Sequence, residues 1–125
     1  MSRVPKVLRR LVRKALGLKG AAQAVILRKH GLHADIVLPG QIAIDLKKLV
    51  FFNIRRRIGI GMRDMADLGV RNVGEPGFMD HYVLSIETMD HTRLQWRLCT
   101  DQDQGEQAAR TVRDVLRGAL TAKAV

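Results

Sequence analysis

YVLSIETMDHTRLQWRLCT, residues 82–100, is the stretch whose reading decides the fold. In its first half Tyr82, Leu84 and Ile86 alternate with Val83, Ser85 and Glu87. In its second half Leu94, Trp96 and Leu98 alternate with Arg93, Gln95, Arg97 and Cys99. Successive side chains on a strand point to opposite faces, so each half reads as a strand with one buried and one solvated face. Asp90, His91 and Thr92 supply turn chemistry between them. The stretch therefore predicts an antiparallel hairpin.

Beyond the hairpin the apolar period lengthens. Ala108, Ala109, Val112, Val115, Leu116, Ala119 and Leu120 recur at steps that place them on one face of a helix. Asp103 followed by Glu106 predicts a start of the capping-box kind. The tail Thr121 to Val125 is expected to fray.

Before the hairpin, residues 61–80 hold Gly61, Gly69, Gly74, Pro76 and Gly77 and predict a long loop, with a helical turn near Asp64 to Leu68. Residues 41–57 fit two periods. Ile42, Ile44 and Leu46 alternate as in a strand, whereas Ile42, Leu46, Leu49, Val50 and Ile54 fit a helix. The β-branched and aromatic content favours a strand, a turn at Asp45 to Lys48, and a second strand from Val50 to about Ile60. Asp35 to Leu38 reads as a short strand ended by Pro39-Gly40, and Ala22 to Ala34 (AQAVILRKHGLHA) as a strand turning near Gly31.

The first segment reads as a helix. Val4, Val7, Leu8, Leu11, Val12, Ala15 and Leu16 form an apolar stripe, Ser2 and Pro5 suit its start, and Gly17 and Gly20 mark its end. Two parts are thus expected, a basic amphipathic helix over residues 1–20 and one small domain over residues 21–125. The order helix, antiparallel strands, helix predicts an α+β protein with an antiparallel sheet or partly open barrel. It argues against parallel βαβ winding, because helices and strands do not alternate.

The run of strands ending in YVLSIETMDHTRLQWRLCT, closed by EQAARTVRDVLRGAL, resembles the pleckstrin-homology-like pattern over roughly residues 22–120. The resemblance implies a partly open antiparallel barrel capped by its C-terminal helix. It also implies anionic lipid headgroups or peptides as the kind of ligand such domains bind. Fold alone does not fix function.

The chain of 125 residues is 46% apolar and 4% aromatic, enough for one core built mainly of Leu, Val, Ile, Ala and Met. A single cysteine, Cys99, cannot form an internal disulfide. With no secretory leader in evidence, a reducing cytoplasmic setting is expected. Its place in an alternating apolar segment suits a structural thiol better than a nucleophile. The longest apolar run, Leu49 to Phe52, is far below the roughly 18 residues that suggest a membrane span.

Charge is the informative quantity. The net charge is +10, and residues 1–19 carry seven cations with no acid: Arg3, Lys6, Arg9, Arg10, Arg13, Lys14 and Lys19. They fill the face opposite Val4, Val7, Leu8, Leu11, Val12 and Leu16. A basic amphipathic helix is a signature of membrane-surface attachment. It also suits a helix packed on its own domain with a solvated cationic face, or an Arg-rich presequence. Arg55, Arg56 and Arg57 form a second cationic cluster after Phe51 and Phe52. Read as a strand, it turns Arg55 and Arg57 to one face as two guanidinium forks for phosphate, or it guards a sheet edge. Lys47, Lys48, Arg63 and Arg71 are candidates to extend it.

Other motifs carry less. Gly59-Ile60-Gly61-Met62 lacks both the P-loop lysine and the third glycine of the dinucleotide fingerprint, and reads as a strand end or bulge. Met79-Asp80-His81 and Met89-Asp90-His91 flank one strand too long for their histidines to share a metal. His30 and His33 lack further ligands at suitable spacing. No catalytic residue, metal, cofactor or small-molecule substrate is expected. The expected function is a non-catalytic binding module on an acidic membrane surface, cytoplasmic and peripheral. A nucleic-acid-binding protein using Arg55 to Arg57, or a protein-interaction or homo-oligomerisation module, are the alternatives.

Overall fold

The computed structural model describes residues 22–74 and 79–118. The basic helix expected over residues 1–20 lies outside the described residues, as do Ala119, Leu120 and the tail. The chain divides into two compact units, Met1–His33 and Ala34–Val125.

In the first unit, residues 22–29 form a helix, α1, where the sequence reading expected a strand. Val25, Ile26 and Leu27 invite the strand reading, yet Ala22, Gln23, Ala24, Arg28 and Lys29 around them are strong helix formers. The stop settles the matter. Gly31 takes φ 68° and donates its N–H to the Arg28 carbonyl, while Leu32 donates to the Leu27 carbonyl. This is a Schellman closure, which needs a left-handed residue that glycine supplies without strain.

The second unit is α+β. A four-stranded antiparallel sheet runs in order β1 (Ile36–Leu38), β2 (Ile42–Asp45), β3 (Val50–Asn53) and β4 (Ile58–Gly61). A single 3-10 turn, Met62–Asp64, leads to a three-stranded antiparallel sheet of β5 (Met65–Asn72), β6 (Tyr82–Thr88) and β7 (Arg93–Cys99). Helix α2 (Gln102–Leu116) follows. The sheets are separate and are not closed into a barrel.

One core joins the three layers. Leu38, Ile42, Ile44 and Phe51 come from the first sheet, Leu68, Leu84, Ile86, Trp96 and Leu98 from the second, and Ala108, Val112 and Val115 from α2. The expected hairpin is present as β6 and β7, with Leu84 opposite Trp96 and Ile86 opposite Leu94.

Two further expectations need correction. Residues 65–72, expected in a loop with a helical turn near Asp64 to Leu68, form β5, and the helical turn lies earlier, at Met62–Asp64. Met65 pairs with Thr88 but Asp67 with Glu87, so Ala66 is an extra residue in the strand. That bulge puts both Met65 and Leu68 in the core, breaking the period of two that reveals a strand. The second correction concerns the expected strand from Val50 to Ile60. It breaks after Asn53 into a four-residue turn before β4. Helix α2 also starts earlier than expected. Asp101 is its N-cap, its carboxylate accepting the Asp103 N–H at 3.2 Å.

Candidate functional site

Residues 46–63 hold Lys47, Lys48, Arg55, Arg56, Arg57 and Arg63 and no acid. The fold distributes these cations through two turns of one design. After β2, Asp45 Oδ1 accepts the N–H groups of Lys47 and Lys48 at 3.0 and 2.9 Å, and Leu49 closes the turn at φ 55°. After β3, Asn53 Oδ1 accepts the Arg56 N–H at 3.1 Å, and Arg57 closes the turn at φ 56°. The segments DLKKL and NIRRR therefore fold alike. Each begins with a buried side chain that can bond its own following backbone, holds its cations outward, and ends left-handed.

The arginine cluster is thus on a turn, not on a strand, and Arg55, Arg56 and Arg57 are all exposed. They form no ion pair among the described residues. Ile54 anchors the turn: it is 2% exposed, and its N–H donates to the Gln41 carbonyl at 3.0 Å. Ile58, immediately after the arginines, is 44% exposed.

The additional cations do not gather here. The two turns lie at opposite ends of β3, whose four residues span about 13 Å. Arg63 belongs with Lys47 and Lys48, because the Met62 N–H donates to the Leu49 carbonyl at 2.8 Å. Arg71 lies in the other sheet. It shares a row with Val83 and Arg97, while Asp67, Glu87 and Arg93 form a mixed-charge row on the same face. Gly40 packs on the Arg97 carbonyl and Gln41 bonds Ile54, so backbone contacts link β7 to the arginine turn.

Phe51 and Phe52 offer no stacking platform beside the arginines. Phe51 is in the core at 0% exposure, and Phe52, at 2%, faces the opposite side of the first sheet. There its ring lies over Gly59, its partner on β4.

Three further titratable groups, Asp80, Asp90 and Cys99, make local contacts within the fold. Asp90 in the hairpin turn accepts from the Thr88 hydroxyl and the Thr92 N–H, and its pKa is lowered mainly by that hydroxyl. Asp80 accepts from Asn72 Nδ2, and Asn72 Oδ1 accepts from Gly74 and His81, tying the base of the β5–β6 connection. The Cys99 thiol is half-buried and points at the Asp101 carbonyl. Burial raises its pKa, which disfavours the thiolate. Among the described residues no cluster of His, Cys, Asp and Glu could hold a metal, and no helix is long and apolar enough to cross a membrane.

Tyr82 is the sole tyrosine and is buried. Desolvation raises its pKa, the Asp80 and Glu106 carboxylates add to the rise, and an Asn72 hydrogen bond opposes it. A raised folded value means the associated stability is intact below the unfolded phenol value near 10 and is lost as pH rises through the folded value. Absorbance titration of the phenolate is expected to give a midpoint above the ordinary phenol value, accompanied by loss of near-ultraviolet dichroism. A midpoint at or below the ordinary value would contradict the burial argument.

No family model matches this chain, and neither a curated protein nor a solved structure matches it.

Proposed function

We propose that this protein is a non-catalytic binding module that docks peripherally on an anionic membrane surface, at the cytoplasmic face. The observation that carries the reading is the turn Arg55-Arg56-Arg57: three consecutive exposed arginines with no ion pair among the described residues, next to the exposed Ile58. Cations near an anionic leaflet contribute about 1 kcal/mol each, and an adjacent apolar side chain adds contact with the acyl boundary. The basic segment of residues 1–19 supplies seven further cations to the same partner. If the pleckstrin-homology-like resemblance holds, anionic lipid headgroups are among the ligands it implies. Burial of Phe51 and Phe52 favours lipid over nucleic acid, since single-strand binding draws on exposed aromatic rings.

Co-sedimentation with vesicles tests this. The protein is expected to bind vesicles containing phosphatidylserine and to ignore purely phosphatidylcholine vesicles, with affinity falling as salt rises. Replacing Arg55, Arg56 and Arg57 together by Gln is expected to weaken binding about a hundredfold, from the roughly 3 kcal/mol that three such contacts supply. Equal binding to neutral and anionic vesicles rejects the proposal. If the triple variant instead loses a salt-dependent complex with DNA or RNA while vesicle binding is unchanged, the nucleic-acid reading replaces it.

A further inference from the structure

We infer that the open edge of β4 is a docking strip for an extended acidic peptide segment of another protein, which adds to the first sheet as a fifth strand. This goes beyond the membrane reading and uses a different surface feature, the strand edge, which shares only Arg57 with the arginine turn. Strand β4 ends its sheet, and among the described residues no strand pairs with its outer side. The register places Phe51 opposite Ile60 and Asn53 opposite Ile58. The bond from the Met62 N–H to the Leu49 carbonyl fixes the phase of the ladder. Residues 58, 60 and 62 turn their backbone polar groups toward β3, so the Gly59 N–H and carbonyl and the Gly61 N–H face outward. Neither glycine carries a side chain to hold a partner strand away, and Gly59 is exposed.

Charge selects the occupant. Arg57 precedes the strand and Arg63 follows it, both exposed, with no acid between them. A second copy pairing antiparallel through the two glycines would set Arg57 against Arg63 of the other copy, cation against cation. A segment with carboxylates near both ends meets Arg57 at one end and, at the other, Arg63 with the Asp64 carboxylate beside it against Gly61, so Arg57 contributes most of the selectivity. Main-chain bonds then supply affinity and the terminal charges supply selectivity.

The test uses the full chain, isotope-labelled, and a short synthetic peptide of alternating valine and threonine with glutamates at both ends. The peptide is expected to shift the backbone amide signals of Gly59 and Gly61, whereas the same peptide with lysines at its ends binds at least about tenfold more weakly. Gly61→Pro is the discriminating variant. Gly61 sits at φ −73°, close to the proline value, and a Cβ there makes only ordinary contacts with Asp64 and Arg63, so its backbone suits proline. The variant removes an outward N–H and blocks strand addition. It is expected to bind the glutamate peptide at least about tenfold more weakly while keeping its melting temperature and its vesicle binding. Equal peptide affinity in the variant, no binding to the wild type, or shifts confined to arginine signals while both glycine amides stay still would each overturn the inference. In that case the cations only guard the edge. Vesicle binding is scored separately, so either proposal can fail alone; the glycine shifts remain decisive if the proline variant fails to fold.

Discussion

Gly40→Ala is expected to lower stability by about 3–4 kcal/mol. Two costs coincide at this position. Gly40 holds φ +82°, where a side chain is strained by about 1 kcal/mol. An added Cβ would also stand 2.1 Å from the Arg97 carbonyl oxygen and 3.0 Å from Leu98 Cα, which are backbone atoms with no rotamer to yield. The turn between β1 and β2 must then lift off β7 and release the Gln41 carbonyl from the Ile54 N–H. Loss of that contact reaches the arginine turn, so vesicle binding is expected to weaken as well. Gly118→Ala separates the two costs: its φ is +69°, but nothing lies within 4 Å of its Cβ position. It is expected to lose only about 1 kcal/mol. Thermal unfolding of the pair measures both, and equal losses would refute the steric half of the argument.

Gly105→Ala is expected to cost about 2–3 kcal/mol, reversing the usual sign of such a change in a helix. Replacing glycine by alanine inside a helix normally gains roughly 0.5–1 kcal/mol from chain entropy. Here the new Cβ would fall 2.3 Å from Tyr82 Cγ and 2.4 and 2.5 Å from the ring Cδ atoms. The first turns of α2 rest directly on that ring, and the ring is held by β6. Forcing them apart disturbs Ala108 and Val112 in the core, a form of overpacking. A double-mutant cycle isolates the contact. In a Tyr82→Ala background, which is itself destabilised, the Gly105→Ala change is expected to be neutral or slightly stabilising. Additive losses in denaturant titrations would show that the ring is not the cause.

The sequence was most legible where one period ran unbroken. The alternation in the two halves of Tyr82 to Leu98 survives as β6 and β7, and the helical stripe survives in α2 from Ala108 to Val115, while Leu116 is exposed. Strand β5 was hidden for the converse reason. Its bulge at Ala66 shifts the inward set by one residue, and Ala66, Asp67, Gly69 and Asn72 are poor strand formers. Helix α1 was hidden by three β-branched or bulky residues in a row, although its glycine stop was visible. The candidate site was half legible. The arginines stood out by charge, but reading them into a continuous strand split them between two faces. The correct signal was the resemblance of NIRRR to DLKKL, an Asx residue four before a left-handed one. Which cations would share an end of the sheet depends on turn placement, and composition does not carry that information.

Gly59 has one further consequence. A Cβ there would come 3.3 Å from the Phe52 ring and 3.4 Å from Val50 Cγ1, so the bare backbone at the sheet margin is also the seat of a buried aromatic. A side chain placed here has to displace that ring, so replacing Gly59 is expected to impair folding as well as to crowd the margin.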